Sequence, residues 1–250
     1  MQIRLLHHLG RVIGLLLLTL LALQLFFVAR IALMAVIDPQ STTFQRSEAW
    51  RLLSERGRIE WSQQWVADER IAATLKRAVI ASEDAAFTEH SGVDWDAIER
   101  AWERNQRAEA RVERRNSTNG NSQPRTDPKV VGGSTITQQL AKNLFLSAER
   151  TPLRKAQEFV LTFALEACLS KRRILEIYLN SVEWGEGLFG AQAAARHYFR
   201  VDAAQLGAYP AARLAVMLPA PKRFEKRPNS PYVSGRAATV VARMGGVELP

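Results

Sequence analysis

Ala81-Ser82-Glu83-Asp84-Ala85-Ala86-Phe87-Thr88-Glu89-His90-Ser91-Gly92-Val93-Asp94 sets an acidic pair at the end of a helical pattern, then an aromatic, a histidine and a glycine. Upstream, apolar residues recur at Ile71, Leu75, Ala78 and Val79, and Ser82/Glu83 come next in that series. This spacing predicts a helix over Glu69 to Glu83 with one stripe toward a core. Glu83 falls where an apolar residue is expected. A carboxylate there is partly desolvated, which raises its pKa and suits it to proton transfer near neutral pH. An acidic pair at a helix end also reads as a surface cap or ion pair; the rest of the chain decides for the first reading.

The chain has 250 residues, 47% of them hydrophobic, enough for one domain with a real core and an accessory segment. Its net charge of +9 points to an anionic partner. The single cysteine, Cys168, allows no internal disulfide, and no Cys/His cluster suggests zinc.

Val12 to Ala29 is an 18-residue run without a charged side chain, and apolar character continues to Ile37. Eighteen helical residues span about 27 Å, close to the hydrocarbon thickness of a bilayer. We therefore expect a basic cytoplasmic N-terminus at 1–11 and an uncleaved transmembrane anchor at 12–37, with Arg30 snorkelling to the far interface. Arg4 and Arg11 on the N-terminal flank place the rest of the chain outside the cytoplasm. That location makes nucleic acid an unsuitable partner for the basic charge. A juxtamembrane linker is expected at 38–68 and the main domain at 69–250. The tryptophans at 50, 61 and 65 belong to the membrane interface or the core.

Asp94 to Arg115 reads as a second helix, with Trp95, Ile98 and Trp102 on one face. Asn116 to Pro128 is rich in Asn, Ser, Thr, Gly and Pro and reads as a mobile polar insertion. Gly132-Gly133-Ser134 then opens a helix, with Ser134 placed to cap it. Thr135, Gln138, Gln139 and Lys142 share one face of that helix, a strip of donors ending in a cation. Such a strip suits a phosphate or sugar, or else a solvated surface. Thr151-Pro152 starts the next helix, in which Arg154 and Glu158 are spaced to pair. A long apolar helical pattern runs from Phe159 to Asn180, interrupted by Lys171-Arg172-Arg173. Gly185, Gly187 and Gly190 mark a turn, and helices follow at Ala191–Phe199, Gln205–Leu218 and up to Met244. Without β alternation, the fold class is mainly α.

Five stretches together resemble family 51 glycosyltransferases, the monofunctional peptidoglycan glycosyltransferases and the first domain of bifunctional penicillin-binding proteins. They are Glu83-Asp84-x-x-Phe87-x-x-His90-x-Gly92-x-Asp94; Gly132 to Asn143; Arg154-Lys155-x-x-Glu158; Ile174-Leu175-Glu176-x-Tyr178-Leu179-Asn180 with Gly185, Gly187, Gly190, Ala194 and Tyr198-Phe199; and Leu214-Ala215-x-x-Leu218-Pro219-x-Pro221. They span roughly residues 65–235 in the family's order. The chain departs from the family in the insertion at 116–128 and in Ala220, where the family often carries Asn.

The resemblance implies a lysozyme-like α-helical catalytic lobe, a smaller membrane-facing lobe and one N-terminal transmembrane helix. It implies polymerisation of lipid II, a disaccharide-pentapeptide on a polyprenyl pyrophosphate, at the periplasmic side of the bacterial inner membrane. Glu83 is then the general base and Glu158 the second functional carboxylate. Thr135, Gln138, Gln139, Lys142, Arg154 and Lys155 bind substrate and its pyrophosphate. Asp84, Phe87 and His90 support the base, although a purely structural role fits Asp84 and His90 as well. Glu158 orients the Lys and Arg side chains or holds a divalent cation, magnesium or manganese; no organic cofactor is implied. Expected partners are lipid II, the growing glycan and the membrane, with penicillin-binding transpeptidases and division or elongation proteins beside them. Only about 30 residues follow Pro221, so cross-linking is expected from another protein. Glu176, Tyr178 and Asn180 are expected to pack. Leu144-Phe145-Leu146 is expected to dip into the bilayer.

Overall fold

The computed structural model describes residues 2–118, 133–147, 149 and 151–250. The first helix, α1 (Gln2–Leu33), is long and apolar enough from His7 onward to cross a membrane, and none of its most apolar 18-residue window is buried. A bare apolar cylinder of this kind has no partner in water. Its C-terminal end is different. Ile31 and Met34 are buried in the protein core. Phe27 meets Phe145 edge-on with ring centroids 5.4 Å apart, and the Arg30 guanidinium lies 5.3 Å from the same ring. Arg30 thus lies over an aromatic face of the body, where the ring quadrupole stabilises the cation.

The stretch expected as a linker is part of the body. A Thr42/Gln45 capping box starts α2 (Thr43–Arg56), and Gly57 ends it in the left-handed conformation. Leu52 and Val66 are buried. Next, β1 (Ser62–Gln63) pairs in parallel with a later strand. Of the tryptophans in this part, Trp50 is exposed, while Trp61 stacks on Phe189 at 4.5 Å.

The expected stripe then forms α3 (Ala73–Glu83), with Leu75, Ala78 and Val79 fully buried and Ser82 and Glu83 half-buried at its end. After it, α4 runs over Trp95–Thr118. Trp95 and Trp102 share a face, yet that face is exposed; Trp95 stacks on Phe159 instead of entering the core. Residues 119–128 of the expected insertion lie outside the described residues.

Beyond it come α5 (Ile136–Phe145), α6 (Pro152–Cys168) and α7 (Lys171–Ser181). The apolar run from Phe159 to Asn180 is therefore two helices, broken where the Ser170 side chain accepts from the Arg173 amide and caps α7. Leu144 and Phe145 are buried, Phe145 against Phe27 of α1, so these two side chains do not dip into a bilayer; the exposed apolar side chains nearby are Leu153, Val160 and Phe163 on α6. Helix α6 also meets α1 through a reciprocal pair of 3.0 Å amide hydrogen bonds between Gln24 and Gln157.

The glycine turn joins β2 (Glu183–Gly185) to β3 (Leu188–Phe189), giving a sheet of order β1-β3-β2. Strands of two or three residues are too short to show a period of two in sequence. The chain closes with α8 (Ala191–Phe199), α9 (Ala208–Met217), the single turn α10 (Pro221–Phe224) and α11 (Pro231–Met244). Helix α3 packs on α9 and α11, and α5 packs on α2, α6 and α7. This mainly helical arrangement brings the end of α3, the start of α5 and the first turns of α6 together.

Candidate active site

Glu83 stands where α3 ends, in a cleft of about 320 Å³. One of its oxygens accepts a 3.0 Å hydrogen bond from the Gln139 amide nitrogen. The Gln139 oxygen in turn accepts from the Tyr178 hydroxyl at 2.9 Å. Tyr178 is fully buried in α7, and burial together with the Glu83 and Asp84 charges pushes its hydroxyl well above its ordinary pKa. It therefore stays a donor, which fixes the amide so that its nitrogen faces Glu83. Burial pushes the Glu83 carboxyl up; the Gln139 bond opposes this, the Asp84 charge adds to it, and a Ser82 bond opposes it more weakly. The hydrogen bonds that oppose the rise both come from neutral side chains, Gln139 and Ser82. This is a carboxylate prepared to take a proton.

Asp84 is buried and does not share that role. Its Oδ1 lies 2.8 Å from His90 Nε2, and its Oδ2 accepts from the Ile136 amide at the start of α5. The Gly92 amide donates to His90 Nδ1, so the ring proton sits on Nε2 and points to Asp84. The Gly92 carbonyl accepts from the Thr135 hydroxyl at 2.6 Å. Gly92 has φ +90°, and a Cβ there would meet Glu166 and Thr162 atoms at 2.8 Å, so glycine is required. These bonds tie the α3–α4 turn to the start of α5 and hold Glu83 in place. Phe87 is fully buried with the Lys171 ammonium over its ring. It supports the turn and does not face the cleft.

Thr135, not the expected Ser134, caps α5. Its hydroxyl accepts from the Gln138 amide while the Gln138 side chain accepts from the Thr135 amide. Thr135 thus has both hydroxyl functions engaged within the protein. Gln138 keeps a side-chain nitrogen that is buried without a hydrogen-bond partner among the described residues, and the residue lines the second cleft.

That second cleft, of about 290 Å³, is formed between α5 and α6 and holds Gln139, Lys142, Arg154, Lys155 and Glu158. Glu158 is buried; its Oε2 meets Arg154 at 3.2 Å and its Oε1 meets Lys155. One carboxylate between two cations leaves the wall net positive and orients both side chains. Because both oxygens face cations, this donor set does not fit a resident divalent ion, which needs several free oxygen ligands. Among the described residues no group of three His, Cys, Asp or Glu gathers elsewhere.

The two clefts meet at Ser134, which lines both. Gly133 allows this position: a Cβ on it would lie 3.0 Å from the Ala97 carbonyl and 3.1 Å from Ile98 Cα, so the loop rides on the backbone of α4. Sequence reasoning placed Tyr178 in the packing and missed its link to Glu83. The available signal was a tyrosine in an aliphatic helix, since a buried hydroxyl needs a partner. It also missed Arg100, Arg104 and Arg243, which line the Glu83 cleft.

The sequence model of the transglycosylase family matches residues 51–245. Among curated relatives, a protein of Burkholderia thailandensis called biosynthetic peptidoglycan transglycosylase is 51% identical over 230 residues, covering 92% of this chain and 83% of the relative. A Burkholderia pseudomallei protein of the same name is 51% identical over the same shares, and one of Burkholderia orbicola is 50% identical over 92% of this chain and 86% of its own. The family match reaches back to residue 51 and so takes in much of the stretch first read as a linker. The mainly helical body with its small sheet is the lysozyme-like helical fold of that family. By this match over most of its length, the chain belongs to the transglycosylase family and is a glycosyl-transferring enzyme.

Proposed function

We propose that this enzyme polymerises peptidoglycan glycan chains from lipid II at the outer face of the inner membrane. The observation that carries this reading is the junction at Ser134: a half-buried carboxylate with a raised pKa on one side and a cation-lined cleft on the other. Glu83 takes the proton from the 4-hydroxyl of the acceptor N-acetylglucosamine as that oxygen attacks C1 of the donor N-acetylmuramic acid. The bond from C1 to the polyprenyl pyrophosphate breaks, and the leaving oxygens gain charge. Lys142, Arg154 and Lys155, with the unpartnered Gln138 amide, meet that charge. Direct displacement inverts the anomeric centre, from α donor to β-1,4 product. Glu158 keeps the two α6 cations oriented between turnovers.

The helix from His7 to Leu33 serves as the membrane anchor, and the basic flank at Arg4 and Arg11 favours a cytoplasmic N-terminus. Helix α6, which carries Arg154 and Lys155, packs along α1, so the pyrophosphate-binding wall stands beside the membrane that holds the lipid. Transpeptidases that cross-link the product are the natural partners. The test is polymerisation of fluorescent lipid II by the full chain in detergent, beside Glu83→Gln. Glycan ladders from the wild type and none from the variant are expected. Ladders from both would remove Glu83 as the base. Degraded cell wall in place of ladders would make the enzyme a hydrolase.

A further inference from the structure

The Glu83 cleft carries three arginines; its own acids are Glu83, Asp84 and Asp94, and Asp84 is already engaged by His90 and the Ile136 amide. Arg100 and Arg104 come from α4, four residues apart, and Arg243 comes from the last turn of α11. Among the described residues, Arg100 reaches one carboxylate, Asp94, at 3.7 Å. Asp94 is also engaged by its own helix, its Oδ1 accepting from the Ala97 amide at 2.7 Å. Arg104 and Arg243 have no carboxylate partner among the described residues. Like charges four apart on a helix oppose it, and a third cation facing them adds to the repulsion. An anion seated among the three relieves it.

We propose that Arg100, Arg104 and Arg243 bind the carboxylates of the peptide stem carried by the sugar in the Glu83 cleft; this rests on the lipid II reading above. Location separates this anion from a pyrophosphate. Helix α6, with Arg154 and Lys155, packs along α1, whereas α11, with Arg243, packs on α3 and α9. The pyrophosphate is tethered to a lipid and belongs beside α1. The group that extends from the Glu83 cleft past α4 and α11 is the sugar with its peptide, whose negative groups are carboxylates. The planar guanidinium fork matches a carboxylate in bidentate geometry, and several forks from two helices match a stem that bears more than one. The arginines thus select for an acidic stem at the reacting sugar, while Lys142, Arg154 and Lys155 hold the leaving group.

The experiment uses the full chain in detergent with two fluorescent lipid II preparations, one with free stem carboxylates and one with them amidated. The variant carries Arg100→Gln, Arg104→Gln and Arg243→Gln together; all three side chains are exposed, and circular dichroism checks the fold. With the free-acid substrate, the variant is expected to raise KM about tenfold or more, with kcat little changed. With the amidated substrate, wild type and variant are expected to have the same KM. An equal rise on both substrates would overturn the proposal, since the arginines would then meet the pyrophosphate. No rise on either would make them a solvated surface and overturn it too. A second arm titrates lipid-free disaccharide-pentapeptide, free-acid and amidated, onto both proteins by NMR. Preferential binding of the free acid by the wild type, lost in the variant, is expected; equal binding by both proteins would overturn the assignment. If the wild type forms no polymer from either lipid II, the polymerase reading falls and this binding arm still decides the arginines.

Discussion

The two clefts that meet at Ser134 use the same kinds of residue to opposite ends. Between α5 and α6, a buried carboxylate sits against two cations, and Glu158 acts as their counter-ion. At the end of α3, a carboxylate accepts from the neutral side chains of Gln139 and Ser82, and Glu83 keeps an elevated proton affinity. A lysine or arginine beside Glu83 would hold its pKa down and spoil it as a base near neutral pH. The difference lies in what the fold brings within hydrogen-bond reach, since both are helical glutamates. Acids placed next to cations build an anion-binding wall, and an acid kept away from them builds a base.

The most severe way to break this contrast is Glu83→Gln. Loss of the base is expected to lower kcat by about 10²–10⁴-fold or more, read from glycan ladders. Next is Glu158→Ala, which leaves Arg154 and Lys155 without their shared carboxylate. Their mutual repulsion should widen the α5–α6 cleft, lower kcat/KM about 10²-fold and destabilise the fold by about 1–3 kcal/mol, measured by chemical denaturation in detergent. Equal losses in Glu158→Gln and Glu158→Ala would place the effect on charge and not on packing.

Tyr178→Phe sharpens the contrast without touching a charge. It removes the hydroxyl that holds the Gln139 amide in register. Glu83 then loses a donor to its charged form, and its pKa rises further. Because the ionised form is the base, activity falls as pH drops through that pKa. The acidic limb of the kcat/KM profile should therefore move to higher pH, with about a tenfold loss on that limb for each unit moved. A profile that only drops in height would mean that the tyrosine acts through packing alone.

The smallest expected effect is thermal. The folded-state pKa of Glu83 lies above the ordinary carboxylate value. Its contribution to stability is complete below that ordinary value and is lost as pH rises through the folded pKa. Glu83→Gln removes the cost of the buried charge, so its Tm should exceed that of the wild type at pH 8 and match it at acidic pH. A shift of about 2–4 °C is expected for each kcal/mol relieved.

Much of this site was legible along the chain. The stripe Ile71, Leu75, Ala78, Val79 pointed Glu83 at the core, and α3 buries that stripe. The spacing of Arg154 and Glu158 predicted a pair that the structure contains. Other elements misled. Trp95 and Trp102 keep helical spacing on an exposed face, because periodicity shows that residues share a side but not what lies beside it. Leu144 and Phe145 read as bilayer-facing and are instead buried, Phe145 under Phe27 and Arg30 from more than a hundred positions earlier. Thr135 and Gln138 read as ligand donors, and their first partners are each other.

The sequence by itself determined the mainly helical class, the apolar N-terminal helix, the order of the motifs and the identity of the acids and cations. Those follow from local periodicity, capping chemistry and residue type, all of which act over a few residues. The tertiary structure alone decided which glutamate has its proton affinity raised by burial and which is paired with two cations, that the Tyr178 hydroxyl reaches Glu83 through Gln139, and that arginines 143 positions apart, Arg100 and Arg243, face one cleft. These are matters of distance across the fold. Proton affinity and anion binding depend on what lies within a few ångströms in space, and chain packing sets that distance.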